Sequence, residues 1–485
     1  MADVYEDEFY LQLNKNATGT DRLGVFNNNA AVSITSSTNA TPIVVTKSSH
    51  GLTNGQRVYI VGHLVNTAAN GFWVIANVTT NTFELQGSIG NGVGGATGTY
   101  TADPPFYVPV FKDGFKVGET VSGIKVPTEH KNPGNKYKVR GDRNRAEGSV
   151  RVPLFPSQAQ FFTDMVLSLQ SGAGIPFYHG GRQWWSSTLA GSSPDTGREI
   201  RGLIANGFSL DINRQQAGEP VALTLSVFMN QELGLTSAAP TPGSGTEPDF
   251  PTEDPYVAGG CYTEWQYADT SNVFTTFVGD SVDLRNLSLS FKHDIGLDLS
   301  RPSSTASLDM TWSKATRKTP SLSINGTLTM SHTDYLRLTR MGGLRRSRIR
   351  LMMVGSNPSG NTTSTTNLAA AGTSVVVTSA TGFAVGDYIL LSQDTAGKQQ
   401  VVQITAIAGT TLTTTAADIA QNGGTETIVV RNTALQLYVP LFDIESKSEP
   451  GDSDGIKVIT FSGDARLLTG QTTLITAKAY NDNGV

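Results

Sequence analysis

The sequence has few of the residues that would indicate catalysis, metal binding or disulfide bonding. Its 485 residues include one cysteine, Cys261, which excludes an internal disulfide and a multi-cysteine metal site. The six histidines are scattered singly, and the motifs of zinc proteases (HExxH) and P-loop proteins do not occur. The sequence therefore predicts no enzyme, no cofactor and no metal.

Charge of one sign and long apolar stretches are also scarce. Charged residues make up 16% of the chain and the formal net charge is -5, which argues against general nucleic-acid binding because that requires an excess of Lys and Arg. No apolar run approaches the roughly 18 residues of a membrane span, and the chain begins with acidic residues where a secretory signal is basic. We therefore expect a soluble protein without a membrane partner.

What the sequence does have is short Val, Ile, Leu and Thr runs separated by Gly, Ser, Thr and Asn. Such runs are typical of strands bounded by turns. Since domains usually contain about 100 to 200 residues, a chain of this length predicts several of them. The expected fold class is mainly β.

One segment predicts a strand, a helix and a hairpin in that order. The strand is 148–154; Ser157 and Gln160 then suggest a capping box before apolar residues at helical spacing. Two alternating strands, 208–213 and 221–227, are joined by a glycine-containing turn and predict a β-hairpin. The polar positions of this hairpin share one face: Ser209, Asp211, Asn213, Thr224 and Ser226.

The same order returns later in the chain. A strand at 321–330 precedes a second predicted helix start at Ser331, and a hairpin follows at 435–461. The Pro- and Gly-rich segment between the two copies predicts a linker. We interpret the repeated order as a duplication, with chance recurrence in a β-rich chain as the alternative.

A second repetition predicts two small β-modules. Gly51 and Gly55 have the same spacing as Gly382 and Gly386, and a strand follows each pair. The second module interrupts the second unit, which an exposed loop tolerates. The predicted organisation is an N-terminal segment 1–30, a module 31–100, a first tube-like domain 101–236, a linker 237–256, a second tube-like domain 257–359 with 434–480, and an inserted module 360–433.

The strand, helix and hairpin of 148–235, repeated at 321–468, resemble the tail tube proteins of long-tailed phages. The segments 48–55, 70–73 and 81–85 are similar to small decorating modules of phage tail proteins. The resemblance implies two tail-tube-like β-barrel or sandwich units, each with one helix, whose hairpins join neighbouring subunits into a ring. Because ordinary tube subunits carry one unit and form hexamers, it also implies a homotrimeric ring with pseudo-sixfold symmetry.

The resemblance further implies partners and a location. The partners are other copies of the chain in the ring and in stacked rings, together with tape-measure, baseplate and terminator proteins. The five polar hairpin residues become candidates for a lumen that double-stranded DNA passes without sticking, in a virion tail assembled in the host cytoplasm. The alternatives are a baseplate or distal-tail ring protein and a glycan-binding virion surface protein. The modules are spacers or surface decorations.

Two clusters are candidates for contacts between subunits. Trp184 and Trp185, which the sequence places in a loop, suit either an interface or local packing. The second cluster consists of arginines and is expected to meet carboxylates of the adjacent ring; the alternatives are a nucleic-acid contact and a solvated face. Its members are Arg337, Arg340, Arg345, Arg346, Arg348 and Arg350.

Asp452 and Asp454 resemble part of a calcium loop, but the downstream glutamate is missing and a plain turn is favoured.

Replacing Arg337, Arg340 and Arg345 together with Gln is expected to weaken polymerisation at low ionic strength. Ion pairs on the protein surface contribute most there, because added salt screens them. The measurement is the fraction of protein that sediments as polymer across a salt series. Assembly that is the same as that of the unmodified chain at every salt concentration would contradict the expected role of this cluster.

Overall fold

The structure is a computed structural model that describes most of the chain. Residues 16–29, the predicted linker up to 250 and the second predicted helix, which begins at Ser331, lie outside the described residues. The described residues are 6–15, 30–86, 88–112, 114–117, 119–126, 137–145, 148–167, 179–187, 196–214, 216–229, 231–235, 251, 253–267, 280–281, 284–300, 311–317, 320–329, 346–355, 359–369, 371–381, 383, 385, 388–393, 399–417, 427–431, 434–447, 451–453, 456–467 and 473–480.

The fold is mainly β, which confirms the expected fold class, and the described residues contain one α-helix, α1 (Pro156–Leu167). The strands up to α1 are β1 (Glu6–Lys15), β2 (Val32–Ser33), β3 (Ser36–Ser37), β4 (Ile43–Thr46), β5 (Arg57–Val61), β6 (Gly71–Ala76), β7 (Thr82–Leu85), β8 (Thr99–Ala102), β9 (Phe106–Val108), β10 (Phe115–Lys116), β11 (Glu119–Val126), β12 (Tyr137–Arg145) and β13 (Gly148–Pro153). Those between α1 and residue 330 are β14 (His179–Ser187), β15 (Thr196–Asn213), β16 (Ala222–Phe228), β17 (Gln231–Leu235), β18 (Cys261–Tyr267), β19 (Asp280–Ser281), β20 (Leu284–Lys292), β21 (Ile295–Ser300), β22 (Thr311–Arg317) and β23 (Ser321–Thr329). The remaining ones are β24 (Arg346–Val354), β25 (Ser359–Thr363), β26 (Ser374–Val376), β27 (Tyr388–Gln393), β28 (Gln399–Ala408), β29 (Thr411–Thr414), β30 (Thr427–Arg431), β31 (Ala434–Lys447), β32 (Gly451–Ser453), β33 (Ile456–Ala465) and β34 (Thr476–Tyr480).

One large antiparallel sheet contains strands from both halves of the chain. In the first half, β10 pairs with β13, β13 with β16, β16 with β15, β15 with β14, and β14 with β1. In the second half, β20 pairs with β23, β23 with β33, β33 with β31, β31 with β24, and β24 with β18. The order of pairing is the same in both halves, while the domain boundaries themselves stay predictions.

The shorter strands follow the same scheme. The two-stranded ribbon β11–β12 lies between β10 and β13 in the chain, and the ribbon β21–β22 lies between β20 and β23. Strand β9 pairs with β1, as β19 pairs with β18, and β17 extends the β15 hairpin as β34 extends that of β31. Strand β1 therefore belongs to the large sheet, although the sequence suggested a separate N-terminal segment.

The two halves meet where β15 pairs with β20, and we call this pairing of 207–213 with 286–292 the central seam. Its core side is apolar: the rings of Phe208 and Phe291 stack with centroids 5.8 Å apart. A β-bulge at Asn206 fixes one end, because its backbone oxygen accepts the His293 N–H at 2.7 Å and its Oδ1 accepts the Ile295 N–H at 3.0 Å. Both halves are therefore parts of one continuous sheet.

Helix α1 packs on the apolar side of this sheet, against β15 of the first half and β31 and β34 of the second. Its buried face is Phe161, Phe162, Met165 and Val166, as the spacing predicted. The helix begins at Pro156, where a missing N–H costs nothing, and the Ser157 N–H donates to Glu253 Oε1 at 3.0 Å. The carboxylate of Glu253 thus acts at the helix start. The side chain of Gln160 is not described, so the capping box stays a prediction.

The end of the predicted linker is part of the fold. Tyr256 is fully buried, and its backbone joins two parts of the first half: its N–H donates to the Leu154 oxygen at 2.9 Å, while its oxygen accepts the Val221 N–H at 2.7 Å. The backbone at this position is therefore hydrogen-bonded like a short strand. A composition rich in Pro and Gly upstream gave no sign of this contact.

Two smaller sheets have cores of their own. Strands β2 to β8 form a seven-stranded sheet around residues that include Trp73 and Phe83. Strands β25 to β30 form a six-stranded sheet around residues that include Ile389 and Leu412. The first small sheet contacts helix α1, because the Arg57 guanidinium lies 5.9 Å from the centroid of the Phe161 ring.

Replacing Gly207 with Ala is expected to separate the two strands of the central seam, since the added Cβ would lie 2.1 Å from the Phe291 oxygen. We expect a loss of about 1–3 kcal/mol in stability, measured by urea denaturation. Gly218→Ala in the turn between β15 and β16 is the matched control, because nothing lies within 4 Å of its Cβ position. Equal stability of the two variants would contradict the tight approach at the seam.

Candidate functional site: the polar face of the large sheet

The central strands of the large sheet alternate strictly between apolar and polar residues. In β20, Leu287, Leu289 and Phe291 are buried, whereas Ser288 and Ser290 lie on the opposite side and are half-buried or exposed. The same alternation occurs in β13, β15, β16, β23 and β33. Because successive side chains of a strand point to opposite faces, the sheet has one core face and one polar face.

The polar residues form rows that cross the strands at matching positions. In one row Arg151 pairs with Thr224, Thr224 with Ser209, Ser209 with Ser290, and Ser290 with Ser323. Asp464 continues this row, and its carboxylate accepts a hydrogen bond of 2.7 Å from the Ser323 hydroxyl. A second row is Asp211, Ser288, Asn325 and Ser462, and a third is Asn213, Asn286, Thr327 and Thr460. The rows cross the central seam without a break.

The charge on this face is low and balanced. Hydroxyl and amide groups dominate the three rows, and the charged positions of the face include Lys116, Arg151, Lys292, Asp211 and Asp464, with Asp443 of β31 opposite Asp464. Cations thus occur on the wider face, although the five residues predicted from the sequence include none. Because the face has few cations and also carries carboxylates, it offers little attraction to the phosphates of DNA.

The sheet is curved toward the polar face. A cleft of about 540 Å³ lies there, lined by residues of β13, β15, β20, β23 and β33, including Arg151, Asp211, Ser288, Asn325 and Thr460. On the convex side, the buried residues of the same strands pack with α1 and with residues of β1, β18 and β24 in one continuous core. The chain therefore presents a concave polar wall backed by an apolar layer.

All five hairpin residues predicted for the lumen lie on this one face: Ser209, Asp211, Asn213, Thr224 and Ser226. The sequence analysis did not name the partners of these residues on β20, β23 and β33. The signal was present, because 286–292 and 321–327 alternate polar and apolar residues in the same way. What the sequence could not give is the pairing of β15 with β20, which places the two alternating segments side by side.

The predicted interface residues are in different surroundings. Trp184 and Trp185 lie in strand β14, between β1 and β15, and the prediction of a loop at this position is wrong. Their hydrogen-bonded position in a sheet follows from the length of β15, which begins at Thr196, well before the predicted hairpin strand. Their role in contacts between subunits stays a prediction.

The arginine cluster is divided by the structure. Arg337, Arg340 and Arg345 lie outside the described residues. Arg346, Arg348 and Arg350 belong to β24, which has a partner strand on each side; Arg350 is opposite Glu264 of β18 and Tyr438 of β31. Arg348 and Arg350 are half-buried and have interaction partners within the chain. The contact with an adjacent ring therefore stays a prediction.

Groups of ionisable residues suited to metal binding are absent from the described part of the chain, and none of its helices is long and apolar enough to cross a membrane.

The thiol of Cys261 is buried, and burial raises its pKa to about 12. A thiol with such a pKa is protonated at neutral pH and therefore a poor nucleophile. Burial lowers the pKa of His63, in the first small sheet's loops, so this imidazole is expected to be neutral.

Two adjacent positions of β23 test the assignment of the faces. Asn325→Lys on the polar face is expected to change the stability by less than about 0.5 kcal/mol, because Asn325 is exposed. Ile324→Lys would bury an unpaired ammonium in the core, at a cost of about 3–5 kcal/mol, because Ile324 is fully buried. Urea denaturation monitored by fluorescence compares them, and a larger loss for Asn325→Lys would reverse the assignment.

No protein-family model matches the sequence, and no curated protein matches it either. The function is therefore argued from the concave polar wall, from the repeated pairing order and from the sequence features that resemble tail tube proteins.

Proposed function

We propose that this chain is a structural subunit of a phage tail tube, which forms stacked rings around the channel for DNA ejection. The observation that carries the proposal is the polar face, which continues across both halves of the chain on the concave side of one sheet. A tube wall needs a surface of this kind, because DNA must pass it without stopping.

The electrostatics of the face support passage of DNA. A protein binds double-stranded DNA mainly by neutralising phosphates with Lys and Arg, and each neutralised phosphate adds to the affinity. The face carries three cations, Lys116, Arg151 and Lys292, beside the carboxylates Asp211 and Asp464, and of these cations only Arg151 lies in the three polar rows. Hydroxyl and amide groups keep such a wall hydrated while offering DNA no strong contact.

The repeated pairing order supports a ring of three chains. Each chain contains two sets of strands with one order of pairing, and the central seam joins them edge to edge. If each set is one tube unit, three chains supply six units, and the ring has pseudo-sixfold symmetry. The sheet would then close into a barrel without free edges, which is how closed barrels avoid edge-to-edge aggregation.

The proposal includes partners and a location. The chain would contact other copies within and between rings, and the tube would end on terminator and baseplate proteins and enclose a tape-measure protein. It would be found in the virion tail. The two small sheets, which have cores of their own, would act as spacers or decorations and would take no part in the channel wall. The role of the chain would be structural and would involve no catalysis.

Electron microscopy of the purified chain tests this function. We expect long hollow tubes built of stacked rings. Isolated rings that never stack would favour a baseplate or distal-tail ring protein, and monomers that bind sugars would favour a glycan-binding surface protein. Either of these two results contradicts the tube.

A charge variant tests the channel wall separately. Ser288→Lys with Asn325→Lys adds two cations to the concave polar face, and the assembled variant is expected to retain DNA more strongly at low salt, with a steeper salt dependence. Thr80→Lys with Thr366→Lys is the matched control, because both threonines are exposed on the small sheets. DNA retention is measured by co-sedimentation; equal retention by the two variants would contradict the proposed wall.

A further inference from the structure

The first small sheet closes on itself and has two ends. Its edge strands β2 and β3 are successive parts of one segment, which pairs with β8 on one side and with β4 on the other. At one end the chain leaves β8 and continues into β9, which pairs with β1 of the large sheet. Arg57, which contacts Phe161 of α1, lies at this same end, because its oxygen accepts the Asp103 N–H at 2.8 Å. This end is therefore attached to the rest of the molecule.

The opposite end of the sheet is formed by three loops, which we call the tip: 38–42, 62–70 and 86–98. The antiparallel pairing of β5 with β8 places the tip away from the attachment. Val61 and Thr99, which pair with each other, lie next to the tip loops, whereas the pair Val58 and Ala102 lies next to the attached end. The tip thus faces away from the point where this sheet joins the large one.

Side-chain hydrogen bonds hold the three loops together. Asn66 is fully buried, and its Nδ2 donates to the Ser37 hydroxyl at 3.0 Å and to the Thr38 oxygen at 2.9 Å. Its Oδ1 accepts the Asn91 N–H at 3.2 Å, and the Asn91 side-chain oxygen accepts the Ala68 N–H at 3.2 Å. A surface that is fixed in advance in this way loses little conformational entropy when it binds a partner.

The outer side of the tip is apolar. In the described part of the chain six large apolar side chains are exposed, and four of them are on the tip: Leu64 (75%), Val93 (74%), Val65 (55%) and Ile89 (47%). The loops that carry them touch, because a Cβ at Gly92 would lie 3.2 Å from Val65 Cγ1. Single exposed apolar residues are ordinary, whereas a cluster of them marks an interaction surface.

The composition of the tip limits the kind of partner. Its three loops contain no Asp, Glu, Lys or Arg, although charged residues make up 16% of the chain. A surface without cations does not suit nucleic acid. The loops also contain no Trp or Tyr, so they lack both the aromatic and the basic residues that hold proteins at a bilayer surface. These features favour a protein partner whose own surface is apolar and uncharged.

The tip of another copy of this chain has that surface. Two identical surfaces that meet across a two-fold axis must be self-complementary, and a charge near the axis would face the same charge of its partner. A cluster of aliphatic side chains without charges meets this requirement. The two remaining exposed apolar residues, Val385 and Leu467, are far apart in the chain and offer no such cluster.

We propose that the tip of one copy docks against the tip of a second copy, with Leu64, Val65 and Val93 of both chains packed together. Four side chains a copy make a contact smaller than a standard protein interface, so a single pair of tips associates weakly. An assembly that presents many tips strengthens the contact through multivalency. The contact goes beyond the proposed tube and does not depend on it.

Cross-linking at the tip tests the contact. The full chain with Val93→Cys is treated with a short bismaleimide, which joins two thiols, and the products are separated on a denaturing gel. We expect a two-chain species whose yield rises with protein concentration. Thr80→Cys is the matched control, because Thr80 is exposed at the attached end of the same sheet, and the native Cys261 is buried. Equal yields from the two positions would overturn the contact.

Charges of chosen sign test whether the partner is a second tip. In the Val93→Cys chain, Leu64→Glu with Val65→Glu is expected to lower the two-chain yield several-fold, because like charges then face each other. Leu64→Lys with Val65→Lys is expected to do the same. An equal mixture of the Glu and Lys chains is expected to restore the yield, since opposite charges then meet. A mixture that cross-links no better than either chain alone overturns the pairing of tips.

The outcomes separate this contact from the proposed function. Tubes that form normally, with no more cross-linking at Val93→Cys than at Thr80→Cys, overturn the tip contact and leave the tube standing. Cross-linking with the expected response to charge, in protein that forms neither rings nor tubes, supports the tip contact and contradicts the tube. Unmodified protein that sediments with phosphatidylcholine vesicles, while its tip gives no cross-link, assigns the tip to a lipid surface and overturns the contact between copies.

Discussion

Backbone hydrogen bonding between the edges of strands is the interaction on which the rest of the structure depends. At the central seam, 207–213 of the first half pair with 286–292 of the second, and this pairing makes one sheet of two sets of strands. Without it, β15 and β20 would each present a row of unpaired donors and acceptors to solvent. The fixed register also places Ser209 beside Ser290 and Phe208 beside Phe291, so the polar and apolar faces each continue through the seam.

The two faces then have separate tasks. The apolar face receives α1, whose buried residues pack on β15 of the first half and on β31 and β34 of the second, and His293 of the second half bonds its ring to the Val166 oxygen of the helix at 2.5 Å. The helix thus stabilises the seam from behind. The polar face needs no packing partner, because its serines, threonines and asparagines can form hydrogen bonds with water and with each other. The same alternation of residues that builds the core therefore also builds the concave wall.

The sequence was sufficient for what depends on local pattern. Apolar residues recur every two positions in a strand and every 3.6 positions in a helix. These periods predict the hairpin strands, the buried face of α1 and the shared face of Ser209, Asp211 and Asn213. It was insufficient for what depends on distant contacts. The acceptor at the start of α1 is Glu253, 96 residues from Ser157, and Trp184 and Trp185 lie in a strand because β1 and β15 flank it. The N-terminal strand β1 and the central seam are likewise pairings that no local pattern specifies.

In the proposed ring, the sheet of one chain supplies two of six equivalent segments. Native mass spectrometry of isolated rings measures this most directly, because the mass of the ring divided by the chain mass of 51.5 kDa gives the number of chains. We expect three chains in every ring. Rings of six chains would contradict it, because each chain would then contribute a single segment to the channel.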